Sequence, residues 1–144
     1  MGFNERMDEM QAAFLRVKLR RLENDQDMRD TAVNQYRRLL TNVADVGIFD
    51  IDPRGRHVHH LMVVQVPERD RVLDAIHAAG VGAAIHYPIP LHLQSGGHEL
   101  GQPGQFPVTE ALATSILSLP LYPGISPEQV ETCVAVLESA LAAR

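Results

Sequence analysis

The feature that most constrains the fold is a stretch at residues 5–40 that contains neither proline nor glycine. Both residues interrupt helices, so their absence over this length predicts one long helix. Its middle is polar, and we expect a bend or break near Asn24 and Asp25. Apolar residues recur at helical spacing at both ends, at Met7, Met10, Phe14 and Val17 and at Val33, Tyr36 and Leu40. A helix that is apolar at both ends is typical of a connector between two packed bodies.

The rest of the chain alternates between short apolar runs and helical patterns. The apolar runs predict strands at 58–66, 81–87 and 116–119, of which the first is expected to be central and buried on both faces. Spacing and capping signals predict helices at 68–79, 108–115 and 128–143. This order predicts an α/β (α+β-like) fold, in which helices pack on one side of a small three-stranded sheet with at least one antiparallel pair.

Length and charge limit the class of protein. The 144 residues suffice for a single domain, with a connector helix region at 1–42 and a small α/β domain at 43–144. Eighteen acidic residues against thirteen basic ones give a net charge of −5, which argues against binding to nucleic acid or an anionic membrane. No apolar run approaches the roughly 20 residues of a membrane span. With Cys133 as the only cysteine, nothing indicates an oxidising compartment, and we expect a cytoplasmic protein.

Two familiar kinds of catalytic centre find little support. His57 and His59 would share one face of a strand, as two histidine ligands of a metal site do. No third ligand follows at a spacing typical of such sites, so we expect no metal. Cys133 falls on the apolar face of the last predicted helix, where a cysteine is usually inert packing rather than a nucleophile.

The segment at residues 86–94 is different, because a strand delivers His86 and Tyr87 to a proline-stiffened exit that is followed by His92. Histidine and tyrosine offer hydrogen bonds and a stacking face to a polar, ring-bearing ligand. A simple cap on the sheet edge explains the pattern equally well. At the other end of the chain, Asn4 precedes a helix and suits either an anion site or ordinary N-capping, of which capping is favoured.

Three segments, taken together, carry a resemblance to a known family. Residues 2–15 resemble the G-x-N-x-R-M-x-E-x-Q-A-A-x-L motif of the DegT/DnrJ/StrS family of sugar aminotransferases. Residues 81–94 are similar to its H-Y-P-x-P-x-H-x-Q segment, and residues 118–129 to its closing L-S-L-P signature. The three occur in the order of the family and span essentially the whole chain.

The resemblance implies the C-terminal small domain of a fold-type I enzyme that uses pyridoxal 5′-phosphate. In the family, a large domain before the first motif supplies the Schiff-base lysine, the acid that pairs with the pyridine nitrogen, and the stacking aromatic ring. This chain begins one residue before that motif. Its only lysine, Lys18, lies among arginines on a helix and matches no catalytic position, so we expect no catalytic residue and no cofactor bound by this chain alone.

The resemblance also implies roles for individual residues. Asn4 falls on the asparagine that reaches the cofactor phosphate of the other subunit, and the backbone at Arg6 helps that contact. His86 and Tyr87 fall on residues that face the nucleotide-sugar substrate, and His92 is a weaker candidate for the same substrate site.

Two functional hypotheses follow. In the first, the chain is the C-terminal part of an enzyme that transfers an amino group to a keto-sugar nucleotide, inactive by itself. In the second, it is a non-catalytic binding or dimerisation module. In either case the expected partner is a second copy or a separate large-domain chain.

Overall fold

The structure is a computed structural model that describes residues 6–97 and 99–143. Its helices and strands, in chain order, are α1 (Glu9–Leu19), α2 (Leu22–Leu40), β1 (Gly47–Ile48), β2 (Met62–Gln65), α3 (Arg69–Ala78), α4 (Pro107–Ser115), β3 (Ile116–Leu119) and α5 (Pro127–Ala142). A 3₁₀ turn spans Leu91–Leu93.

The three strands form one sheet in the order β1-β2-β3, and both pairs are antiparallel. One face carries Met62 and Val64 opposite Leu119 and Leu117, and all four are buried in the main hydrophobic core. That core also takes residues from α2, α3 and α5. The small antiparallel sheet with packed helices confirms the expected fold class.

The strands differ from the sequence-based prediction in extent. The predicted strand at 58–66 is central, but it pairs only over Met62–Gln65, and its second face is not buried: Gln65 is exposed and Val63 is half-buried. The predicted strand at 81–87 is reduced to one antiparallel bridge between Ala84 and Ser118. The third strand is instead β1, which has two residues and lies where no strand was predicted.

The last three helices lie within one or two residues of their predicted ranges. Ser126 forms a capping box with Gln129 at the start of α5, since each side chain bonds the backbone of the other residue. Pro107 occupies the first turn of α4, where the missing N–H costs nothing. After α3 the chain turns at Gly80, whose φ of 80° suits glycine.

The long N-terminal helix is two helices that meet at Arg20 and Arg21, four residues before the predicted break. The Arg21 N–H bonds the Lys18 carbonyl and closes a tight turn there. The polar stretch that follows stays helical, supported by the Gln26–Asp30 side-chain bond at 2.8 Å. Asp8 is the N-cap of α1, so the helix starts after the predicted residue, and Asn4 lies outside the described residues.

The two helices differ in burial. In α1, all of whose residues are described, none is buried, and Met10 and Phe14 are 70% and 68% exposed. The second half of α2 packs into the core through Tyr36 and Leu40 among others, and the Tyr36 hydroxyl donates to the Pro120 carbonyl at 2.9 Å. Within residues 6–97 and 99–143, no helix combines the length and apolar character needed to cross a bilayer.

Candidate functional site

A cleft of about 600 Å³ lies between the proline-rich segment that follows residue 85 and the face of α4. One wall includes His86, Tyr87 and Gln94; the other includes Thr109 and Leu112. The described residues that line the cleft include no Asp, Glu, Lys or Arg. The cleft therefore suits the uncharged, hydrogen-bonding part of a ligand better than a phosphate group.

His86 is held at the edge of the sheet. Ala84 exchanges two backbone hydrogen bonds with Ser118 of β3, at 3.0 and 2.7 Å, and so carries the following residues along that strand. Two residues later, the Nδ1 of His86 lies 3.1 Å from the buried Ser118 hydroxyl. Since Nδ1 is engaged, Nε2 is the ring nitrogen that is available to a ligand.

Tyr87 extends from the same wall into solvent, with 71% of its surface exposed. Its ring meets the His86 ring edge-on, with centroids 5.6 Å apart. The proline-rich segment after Tyr87 is held by the Gln94 side-chain amide, which donates to the Ile89 carbonyl at 3.0 Å. The structure thus brings together the His86 and Tyr87 side chains that the sequence singled out, on one wall of one cleft.

The opposite wall is anchored from behind by Arg69, which is buried. Its guanidinium donates to the carbonyls of Ala113 and Ile116, at 3.2 and 3.1 Å, and both residues line the cleft. It also pairs with the exposed Asp70 carboxylate. No motif in the sequence singled out Arg69, because its partners are brought together only by the fold.

His92 lies behind the cleft rather than on its wall. The residue is buried, its ring packs 4.8 Å from the Phe106 ring, and its Nε2 lies 3.1 Å from Glu110 Oε1 in α4. The Gly104 N–H and the His92 ring bond Glu110, and these bonds hold the pKa of that carboxyl below its usual range. Glu110 is a second residue that sequence reasoning missed.

The other candidates lie away from this cleft. Cys133 is buried in the core, as expected for inert packing. The Nδ1 atoms of His57 and His59 lie 3.0 Å apart beside β2, and burial lowers the pKa of His59. Among the described residues, no group of three His, Cys, Asp or Glu side chains is placed to hold a metal ion.

The surroundings of Lys18 do not fit pyridoxal phosphate. Lys18 is exposed on α1, in a groove that is also lined by Leu15, Asp25 and Arg29. Arg16 and Arg29 also line the groove, but the Arg29 guanidinium is committed to the carbonyls of His59, His60 and Leu121. The described lining residues include no aromatic ring to stack on a pyridine. Arg6 is exposed, and Asn4 lies outside the described residues.

The comparisons with known proteins point in one direction. Residues 1–138 match the DegT/DnrJ/EryC1/StrS aminotransferase family. The erythromycin biosynthesis sensory transduction protein EryC1 of Saccharopolyspora erythraea is 40% identical over 96% of this chain and 38% of its own length. The dTDP-3-amino-3,6-dideoxy-alpha-D-galactopyranose transaminase of Aneurinibacillus thermoaerophilus is 35% identical over 92% of this chain and 36% of its own length.

A solved structure of a related protein has the same fold over nearly the whole of this chain. S. venezuelae DesV, in complex with a ketimine intermediate, superposes with a TM-score of 0.91 at 31% identity, over 99% of this chain and 38% of that one. The chain therefore spans little more than a third of the length of these relatives.

Proposed function

Because this chain belongs to the DegT/DnrJ/EryC1/StrS family of pyridoxal-phosphate-dependent sugar aminotransferases, we propose that it forms the C-terminal part of such an enzyme. The whole enzyme would transfer an amino group to a keto-sugar nucleotide. This part would contribute its cleft, with both walls, to the substrate site of the whole enzyme. The observation that carries the proposal is the family match over residues 1–138, joined to a cleft where the motif residues His86 and Tyr87 meet.

The cleft supports a substrate-binding role for His86 and Tyr87. Its uncharged lining suits a sugar or a base ring, since both present hydroxyl or amide groups and little net charge. His86 Nε2 would bond a polar group of the ligand while Ser118 fixes the ring at Nδ1. Tyr87, with its exposed ring, would stack on a ring of the ligand.

The chemical step would not come from this chain. When bound, pyridoxal phosphate acts as an electron sink that is held by a lysine amine, but Lys18 is exposed and lacks the partners that the cofactor requires. We therefore propose that the chain is inactive by itself. The lysine would be supplied by the larger part of the enzyme that the relatives carry. Asn4 and Arg6 are proposed to contact the cofactor phosphate in that assembly.

The connector region supports a partner-dependent assembly. We propose that residues 1–42 connect the α/β domain at 43–144 to a large domain, either in the same polypeptide or in a separate chain, within a dimer. Met10, Phe14 and Val17 of α1, and Met7 just before it, are exposed apolar side chains that support this reading, because such a surface usually contacts another protein. They equally favour a second candidate function, a non-catalytic dimerisation module.

The first experiment titrates the chain with pyridoxal 5′-phosphate and follows absorbance, with Lys18→Ala as the matched variant. We expect slow, unsaturable labelling of exposed amines and no amino transfer to a keto-sugar nucleotide. Stoichiometric binding that disappears in Lys18→Ala would contradict the proposal, because the chain would then hold the cofactor itself.

The second experiment follows ¹⁵N NMR shifts during titration with dTDP-glucose or UDP-N-acetylglucosamine. We expect the shifts to cluster at residues 86–94 and 109–113. The variants His86→Ala and Tyr87→Ala should weaken binding about tenfold, the loss expected of one hydrogen bond or one ring contact. Shifts that appear elsewhere, or binding that both variants leave unchanged, would contradict a substrate-binding role for this cleft.

A further inference from the structure

The segment between the cleft and α4 looks like a long loop in the sequence, but in the structure it is organised around one carboxylate. Glu110 Oε1 accepts from the Gly104 N–H at 2.9 Å, from the Phe106 N–H at 3.3 Å and from His92 Nε2 at 3.1 Å. Since an ionised carboxylate only accepts hydrogen bonds, the proton of the His92 bond is on Nε2. One side chain of α4 therefore holds both ends of residues 92–106.

Two glycines show how tightly this segment folds back on itself. A Cβ on Gly97 would lie 1.9 Å from the Leu91 carbonyl oxygen, and one on Gly101 would lie 2.6 Å from the Phe106 ring. The Leu91 backbone leaves no room for a side chain at Gly97, and the Phe106 ring would have to move to admit one at Gly101. The Gly97 N–H also donates to the Gln94 carbonyl at 2.8 Å. The turn that carries Leu91 and Gln94 is thus packed directly on the segment that Glu110 fixes.

The His92–Glu110 pair lies between the two walls of the cleft. On one side, Leu91 and Gln94 line the cleft while His92 between them is buried behind it. On the other, Thr109 and Leu112 line the cleft while Glu110 between them turns back to His92. The bond between His92 and Glu110 therefore joins the two walls from behind.

We propose that His92 and Glu110 are positioning residues, which fix the distance between the two walls of the cleft without touching the ligand. Their role in ligand affinity rests on the proposed function, since it assumes that the cleft binds substrate. The proposed coupling of the walls does not depend on that assumption. The proposal gives His92 a different role from His86, because His86 lines the cleft and His92 does not.

The test compares paired variants in the whole chain. Glu110→Ala and His92→Ala remove the bond, while Glu110→Gln and His92→Gln keep an oxygen acceptor or a nitrogen donor at the same reach. Glu131→Ala, an exposed glutamate of α5, is the matched control. Residual dipolar couplings report the orientation of α4 relative to the sheet, and amide exchange reports local opening.

We expect the two alanine variants to change the dipolar couplings of α4 and to speed exchange at Gly104 and Phe106 about tenfold, as loss of a charged hydrogen bond predicts. Exchange at Val64 and Leu117 in the sheet should not change. The glutamine variants should restore the couplings, and the control should match the parent chain. Couplings of α4 that stay unchanged in both alanine variants would overturn the proposal. So would glutamine variants that behave like alanine variants, because the bond itself would then not be what matters.

A titration with dTDP-glucose separates this inference from the proposed function. Tenfold weaker binding in both alanine variants, with restored affinity in the glutamine variants, supports both. If the parent chain does not bind, the substrate role of the cleft fails, while the dipolar couplings still decide whether the pair fixes the walls.

Discussion

Replacing Arg69 by methionine removes the buried charge that ties α3 to the far wall of the cleft. Methionine keeps much of the length and packing of the arginine stem but has no donor. The carbonyls of Ala113 and Ile116 then lose guanidinium bonds of 3.2 and 3.1 Å. The ion pair with Asp70 is lost as well, but Asp70 is 82% exposed, so we expect that pair to add little.

The magnitude follows from two opposing effects. A hydrogen bond from a charged donor contributes about 1.5–3 kcal/mol to stability, and Arg69 makes two of them to the backbone. Removing a buried charge also relieves a desolvation penalty, which offsets part of the loss. We therefore expect Arg69→Met to lower the free energy of unfolding by about 3 kcal/mol. For a chain of this size that lowers Tm by roughly 10 °C.

Urea and thermal unfolding followed by circular dichroism measure this change. Asp70→Asn is the matched control, because it removes the ion pair but keeps both backbone bonds, and we expect it to cost less than about 1 kcal/mol. An Arg69→Met variant as stable as the parent, or more so, would refute the reasoning. The desolvation penalty of the guanidinium would then outweigh its two bonds.

Four further changes test other parts of the molecule. Gly97→Ala should open the segment at 91–106, since its Cβ would meet the Leu91 carbonyl, and faster amide exchange there would show it; unchanged exchange would contradict the close approach. Tyr36→Phe should lower the unfolding free energy by about 1–2 kcal/mol in urea, because the Pro120 carbonyl loses a buried donor; an unchanged midpoint would mean that water replaces the hydroxyl. Met10→Glu with Phe14→Glu should abolish self-association of the chain in sedimentation; a parent chain that stays monomeric at all concentrations would count against the α1 surface. Burial lowers the pKa of His59 below its usual value in the folded state, so stability should fall as the pH drops below about 6.5; His59→Asn should reduce that loss, and an identical pH profile would assign it to another group.

Much of the fold follows from local signals in the sequence. The starts of α4 and α5 are set by Pro107 and by the Ser126 capping box, and the end of α3 by Gly80, all of which act within a few residues. β1 could not be predicted, because a two-residue strand has no periodicity and exists only where β2 passes beside it. The break at Arg20 rather than at Asn24 shows that a polar sequence remains helical when side chains one turn apart bond each other.

The candidate site also contains residues that local sequence signals predict and residues that only the fold brings together. His86 and Tyr87 were found because the apolar run before them and the prolines after them are continuous in sequence. Glu110 was missed because it lies 18 residues from His92, and only the fold brings the two together. His92 itself was singled out by proximity to His86 in sequence, a criterion that cannot tell the wall of a cleft from the layer behind it.

The exposed helix α1 has a thermodynamic consequence. It has 11 residues and none is buried, while isolated helices shorter than about 12–15 residues are only marginally stable in water. A marginally stable helix is partly unfolded before another protein covers it. Binding to α1 therefore includes the entropic cost of ordering the helix, and is an example of folding coupled to binding. The affinity will be lower than the contact area alone suggests, and association will be accompanied by a gain in helical circular dichroism.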